Sequence, residues 1–302
     1  MNRMITFFLM AVVALSATSC QTTQNPDTAQ MMDREGNPIT LPTRLDRIIS
    51  MGPSNTEILA ALGLADRIIA ADTYSKNIPG LTKDVQFFDM LVPNGERIMN
   101  LSPDVIFVTG MCKAGGVNPF KMLVDMGTCV IYIPSSSSID EIKEDVRFIA
   151  KVMDAVEKGE AIVVNMESEI DRIKAIGETI TDRKTVYFEI EASAFLYSFG
   201  KGVFLNEMIE IIGAENIFAY LESWVAVRDE DVVDKNPDVI LINADILYDP
   251  VKTITSRPGW GTITAVQNRD VYYIDADVSS RPSHNIVKTL QEMAKVVYPN
   301  MY

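Results

Sequence analysis

Two glutamates stand in matching surroundings, and a carboxylate presented twice can make the same charged contact twice. Glu96 opens Glu-Arg-Ile-Met-Asn-Leu-Ser-Pro-Asp-Val-Ile-Phe, and Glu230 opens Glu-Asp-Val-Val-Asp-Lys-Asn-Pro-Asp-Val-Ile-Leu. Both reach Pro-Asp-Val-Ile seven residues later, and an apolar run of strand character follows each time. If the two correspond, a two-part molecule carries one on each half, ready for a partner with two cationic sites. The simpler reading is a solvated glutamate in the first turn of a helix, where it favours the helix dipole.

Catalytic groupings are missing. His284 is the single histidine, so a histidine metal cage is impossible and a Ser-His-Asp triad would rest wholly on it. It lies in Pro282-Ser283-His284-Asn285, ahead of an expected C-terminal helix, where capping or simple exposure is its expected role. No Gly-x-Ser-x-Gly elbow and no Gly-Lys-Ser phosphate loop occurs. The expectation is a protein that is no enzyme, with no catalytic residue, no cofactor and no metal ligands of its own. Free zinc or manganese would want nitrogen donors this chain lacks. A metal already wrapped in an organic chelator needs none.

The elements that would position these groups begin after an export segment. Met1-Asn2-Arg3, an apolar run from Ile5 to Leu15 and small residues up to Cys20 describe a signal peptide over 1–19. The run is shorter than the roughly 20 apolar residues that span a bilayer. Ala17-Thr18-Ser19-Cys20 resembles the bacterial lipobox, so Cys20 is the expected lipidation site and residues 20–32 a polar tether. The chain has 27 basic and 41 acidic residues and a formal charge of −14. That balance argues against nucleic acid and against adsorption to anionic lipid. Cys112 and Cys129 remain; Cys129 sits in an apolar run and reads as a buried thiol, with a disulfide as the lesser alternative.

From Asp33 onward, short apolar runs alternate with amphipathic stretches. Strands are expected over 47–50, 67–71, 104–109 and 129–134, then 184–190, 238–243 and 270–275. Helical spacing between them points to an α/β fold with mainly parallel sheets. The glutamate repeat has companions. Thr56-Glu57-Ile58-Leu59 leads to Leu62-Gly63, and Asn206-Glu207-Met208-Ile209 leads to Ile212-Gly213. Val130-Ile131-Tyr132-Ile133 is echoed by Val271-Tyr272-Tyr273-Ile274. Three matches in the same order imply two similar lobes, an N-terminal one over 33–152 and a C-terminal one over 181–302. Between them, Ile162, Met166, Ile170, Ile173 and Ile176 keep helical steps, giving one linking helix within 153–180. A stiff connection of this kind predicts limited closure rather than a wide swing.

Anchor, lobe, long helix and second lobe together resemble the helical-backbone (class III) substrate-binding lipoproteins of bacterial ABC importers, the group that captures ferric siderophores, haem and cobalamin. Asp33-Arg34-Glu35-Gly36 with Ile39-Thr40-Leu41-Pro42 is similar to that family's opening hairpin. Arg47 to Glu57 is similar to its first strand and helix start, and Ser256-Arg257-Pro258-Gly259-Trp260 with Val266 to Tyr272 to its late segment. The resemblance implies that Glu96 and Glu230 dock on arginine-lined pockets of an ABC permease dimer driven by its ATPase subunits. It implies an extracytoplasmic monomer, lipid-anchored on the periplasmic or outer face of the membrane, that takes a metal chelate into a cleft between lobes. A ferric siderophore is placed ahead of cobalamin and haem. Tyr74 and Trp224 fall where family pockets carry aromatics, which suit a bulky chelate, although core packing competes for both. Arg281 matches a basic position used on ligand oxygens; it could equally pair with Asp277 in the same loop, itself a candidate contact. Met90 stands where a cobalamin-specific relative has tryptophan, and Tyr197 is a further candidate wall. Tyr74 could also serve as a haem axial ligand. A surface sensor or scavenger without a permease is the alternative, and an exported hydrolase the remote one.

Overall fold

A computed structural model describes residues 31–302, apart from 114, 115, 117, 193, 194 and 245–247. The signal segment, Cys20 and most of the tether therefore lie outside the described residues.

The first half alternates β1 (Ile48–Met51), α1 (Pro53–Ala61), β2 (Ile68–Asp72), β3 (Gln86–Phe88), α2 (Gly95–Asn100), β4 (Val105–Thr109), α3 (Lys121–Asp125), β5 (Val130–Ile133) and α4 (Ile139–Val152). Its five strands run parallel in the order β3-β2-β1-β4-β5. β1, β4 and β5 are buried throughout, which is why they read as unbroken apolar runs rather than alternating ones.

A 22-residue helix, α5 (Val156–Gly177), then leads to the second half. There follow β6 (Thr185–Glu189), β7 (Glu191–Ala192), β8 (Leu196–Phe199), α6 (Phe204–Ile211), β9 (Glu215–Asn216), β10 (Trp224–Val227), α7 (Asp229–Lys235), β11 (Val239–Ile242), α8 (Pro250–Thr255), α9 (Thr264–Asn268), β12 (Val271–Tyr273), α10 (Ala276–Ser279) and α11 (Ile286–Val297). The main sheet has the order β12-β11-β6-β9, all parallel. Laid beside β5-β4-β1-β2, the four strands correspond one to one, so the sequence repeats mark a real duplication of topology. The second half adds a small antiparallel sheet, β10-β8-β7, whose short strands carried no clear periodic signal.

The duplication holds at the helix ends. Gly63 and Gly213 both adopt left-handed φ, +79° and +81°. In each, the next residue's N–H reaches back to close the turn, Leu64 to Leu59 and Ala214 to Ile209, both at 3.0 Å.

One hydrophobic cluster runs from Ile48, Ile58 and Phe107 through Val163, Met166 and Ile173 of α5 to Phe188, Met208 and Leu290. The two lobes thus share a core along the linking helix, and a rigid connection follows from that continuity. The outer face of each sheet has its own separate core, around Phe120 and Ile106 in the first lobe and Trp260 and Tyr187 in the second. α5 comes so close to the turn after α6 that a Cβ on Gly177 would lie 2.2 Å from the Ile211 carbonyl oxygen. Gly177→Val should therefore destabilise the protein by about 1–3 kcal/mol, read as a lower urea midpoint. An unchanged midpoint would show that the helix ends can part freely.

Candidate functional site

The strand ends of the two lobes meet around one buried ion pair. β1 ends at Met51, Gly52 turns the chain, and Pro53 starts α1 with its φ already helical. Glu57, on the second turn, accepts from Arg281 Nη1 at 3.1 Å, from Asn285 Nδ2 at 2.9 Å and from the Ser283 hydroxyl. The Arg281 guanidinium also donates to the Tyr74 carbonyl oxygen at 2.9 Å and to the Asp277 carboxylate. Glu57 and Arg281 are each only 8% exposed. Either charge would be costly there alone; together, with the extra donors, they are compensated.

This arrangement corrects the expectation for Arg281. Its fork of donors faces Glu57, Asp277 and the Tyr74 backbone instead of standing open for a ligand. The pairing with Asp277 that the sequence left open is present, and Asp277 is exposed on its outer side. Glu57 could not have been identified as the partner from sequence, because 224 residues separate it from Arg281.

Tyr74 sits in a tight 3-10 turn after β2. The Asp72 carboxylate accepts from the Tyr74 N–H at 2.8 Å and from Ser75 Oγ at 2.5 Å, which fixes the turn and leaves the tyrosine ring 61% exposed. Burial pushes the Asp72 carboxyl above the ordinary carboxylate range, while the Ser75 hydroxyl and the Tyr74 N–H oppose that rise. Because Arg281 of the second lobe holds the Tyr74 carbonyl, this exposed ring stands at the junction of the lobes.

On the second lobe, Trp224 pairs with Phe199 across β10 and β8, and Tyr197 pairs with Ala226. Directly paired residues, and residues two apart on one strand, share a face, so Trp224 and Tyr197 lie on the same face of this sheet. Trp224 is half exposed and meets the Phe199 ring edge-on at 5.8 Å between centroids. Met90 departs from expectation: it is buried in the outer core of the first lobe with Phe88 and Ile98, and so offers no open wall.

Glu96 and Glu230 are both exposed, and each is the second residue of its helix, α2 and α7. Their helices lead into β4 and β11, which occupy equivalent places in the two sheets. The repeat in sequence is therefore an equivalence in space. Asn94 caps α2 by accepting the Arg97 N–H at 2.9 Å, whereas α7 begins with three acids and ends at Asn236 in the left-handed region.

Sequence reasoning missed a second buried ion pair. Glu189, the last residue of β6, is fully buried and receives both Arg257 terminal nitrogens at 2.8 and 2.9 Å and the Tyr187 hydroxyl at 3.0 Å. Arg257 lies over the Trp260 ring at 4.2 Å, and the Trp260 Nε1–H donates to Asp229 at 2.8 Å. Trp260 belongs to the core, and its indole also ties down the start of α7, beside Glu230. The signal was the Ser-Arg-Pro-Gly-Trp segment itself, whose arginine had no assigned partner.

Among the described residues no group of three or more His, Cys, Asp or Glu could hold a metal ion. Cys112 and Cys129 are free, and burial raises their thiols to about 12 and about 11. His284 is neither a cap nor exposed: it is half-buried, and its Nδ1 has no hydrogen-bond partner among the described residues. Burial lowers its pKa, with the Glu57 carboxylate pulling the other way. The unfolded chain therefore takes up a proton first as pH falls through about 6.5, and stability attributable to this group is lost below that point. His284→Gln should flatten this part of the urea stability–pH curve. Parallel curves for the two proteins would contradict the burial account.

Comparison with known proteins supplies the context. Residues 48–278 match the family described as periplasmic binding protein. The uncharacterized ABC transporter substrate-binding lipoprotein YvrC of Bacillus subtilis is 30% identical over 89% of this chain and 85% of its own. A vitamin B12-binding protein of Pectobacterium carotovorum is 25% identical over 82% of this chain and 86% of its own. The crystal structure of a possible iron-binding (periplasmic solute-binding) protein from Staphylococcus epidermidis superposes with a TM-score of 0.75 at 29% identity, covering 84% of this chain and 98% of that one.

Proposed function

Because the chain belongs to the periplasmic binding protein family, we propose that it is the extracytoplasmic substrate-binding component of an ABC importer with a metal chelate as its cargo. Cys20 carries the lipid anchor in this reading, and Glu96 and Glu230 engage the two subunits of the permease. The observation that carries the cargo assignment is the exposed Tyr74 ring at the lobe junction, with the Trp224 and Tyr197 face available on the second lobe. Flat aromatics bury a large ligand with few rotors to freeze. Protein ligands to the metal are unnecessary when the chelator supplies them.

The tied-down Arg281 bears on the choice of chelate. With its charge met by Glu57 and Asp277, it offers little to a polyanionic ligand. That favours a chelate of low net charge, a neutral ferric siderophore or cobalamin, over a tricatecholate. Haem is the second reading, supported by the exposed Tyr74 phenol, an oxygen donor able to take an axial position.

Intrinsic fluorescence tests the assignment, because the chain has two tryptophans, of which Trp260 is buried and Trp224 half exposed. Titration of the purified protein with a ferric hydroxamate, cyanocobalamin or haem should give saturable quenching by one class, and Trp224→Ala should abolish that response. Failure of all three to quench would reject the metal-chelate cargo while leaving the family intact.

A further inference from the structure

Glu57 and Glu207 hold equivalent places in the two lobes. Each lies on the helix that follows its lobe's first strand or hairpin, α1 and α6, six residues ahead of a left-handed glycine. Each carboxylate then crosses to the opposite lobe. Glu57 meets Arg281, Ser283 and Asn285, on the approach to α11, the last helix of the second lobe, which follows β12 and the short α10. Glu207 accepts the backbone N–H of Ile139 at 2.9 Å, at the first residue of α4, the helix that follows the last strand of the first lobe. The two contacts thus run between the lobes in opposite directions, one given by each lobe.

The chemistry suits the placement. The opening N–H groups of a helix have no partner within it and carry partial positive charge, so a carboxylate from another element is held there by hydrogen bond and dipole together. Ser138 caps α4 by taking the Glu141 N–H, which leaves the Ile139 N–H for Glu207. On the other side, Asn285 is the residue that precedes α11, and its side-chain amide points to Glu57.

We propose that Glu57 and Glu207 are paired interlobe pins: positioning residues that set the angle between the lobes, and with it the placement of the Tyr74 turn against the second lobe. A single contact leaves two bodies free to rotate about it. Two contacts given in opposite directions, added to the shared core along α5, resist both rotation and opening. The pins are unequal. Among the described residues Glu57 has three side-chain donors, one of them a guanidinium that also grips the Tyr74 carbonyl oxygen, whereas Glu207 has one backbone donor. The inference uses the two-lobed arrangement and needs no ligand, so it stands or falls separately from the cargo.

The test is the distance between spin labels, one on each lobe, in the ligand-free protein. Labels attached through ketone-bearing side chains at the exposed positions Lys83 and Lys252 avoid the native thiols. Wild type should give one narrow distance distribution by pulsed electron resonance. Glu57→Gln should shift it towards longer distances and broaden it, Glu207→Gln should broaden it less, and the double variant should exceed either. Glu160→Gln, which breaks a surface pair with Arg147, should leave it unchanged. If Glu57→Gln folds poorly, Ser283→Ala with Asn285→Ala removes two donors and keeps the charge pair, and it should broaden the distribution on its own. Variants that melt earlier but keep the narrow wild-type distribution while folded would overturn the proposal, because a role in stability alone predicts that result.

Discussion

Reversing both exposed acids, Glu96→Lys with Glu230→Lys, should abolish delivery of bound cargo to the membrane while leaving ligand affinity unchanged. Each glutamate stands second in a short helix on the equivalent edge of its lobe. Neither belongs to the Tyr74 and Arg281 junction. Losing one partner of a desolvated, hydrogen-bonded charge pair costs roughly 2–5 kcal/mol, and reversal adds repulsion. Two such losses lower productive docking by more than about a hundredfold, since each 1.4 kcal/mol is about tenfold. Uptake into vesicles carrying the cognate permease measures the effect, and the fluorescence titration supplies the control. Uptake at the wild-type rate would show that Glu96 and Glu230 are not the docking contacts, whereas a sensor or scavenger would support no uptake even as wild type. On the proposed docking role, single reversals should each give partial loss, because the two glutamates hold equivalent places in the fold.

Arg257→Ala should be the most destabilising single substitution outside the apolar cores. It would leave Glu189 fully buried at the end of β6 with the Tyr187 hydroxyl as its remaining side-chain donor among the described residues. Removing one partner of a buried pair costs about 3–5 kcal/mol, mostly because the other charge is stranded. The substitution also uncovers the Trp260 face, and Trp260 holds Asp229 beside Glu230. Urea denaturation should show the loss, and replacing both members, Glu189→Leu with Arg257→Met, should recover most of it. A small effect from Arg257→Ala alone would mean that water reaches Glu189 when the arginine is removed.

What the sequence disclosed was governed by locality. The strands were legible because both faces of β1, β4, β5 and β11 are buried, and such strands declare themselves as apolar runs. The linking helix declared itself through its isoleucine steps, and the duplication through motifs short enough to survive divergence. For the candidate site, exposure is the property that the sequence could anticipate. Tyr74, Trp224, Glu96 and Glu230 all prove to be on the surface or half exposed. Arg281 was only half legible: its pairing with Asp277 was one of the two readings left open, whereas its other partner, Glu57, lies in the other lobe. Met90 was misjudged because a methionine on a cleft wall and one in a core look the same in sequence. Glu57 and Glu207 were visible as a repeat, yet nothing local showed that each reaches across the junction. The antiparallel strands β7, β8 and β10 were missed because two to four residues give no usable periodicity.

The most direct test of the account is anomalous diffraction at the metal edge from crystals grown with the chelate that quenches Trp224. The expected result is a single iron or cobalt peak at the junction of the lobes, with the chelator against Tyr74 and Trp224 and no protein atom coordinating the metal. If haem is the cargo, the peak should instead lie at bonding distance from the Tyr74 phenol. A peak away from the lobe junction, or a bound metal held directly by carboxylates, would contradict the proposed metal-chelate site.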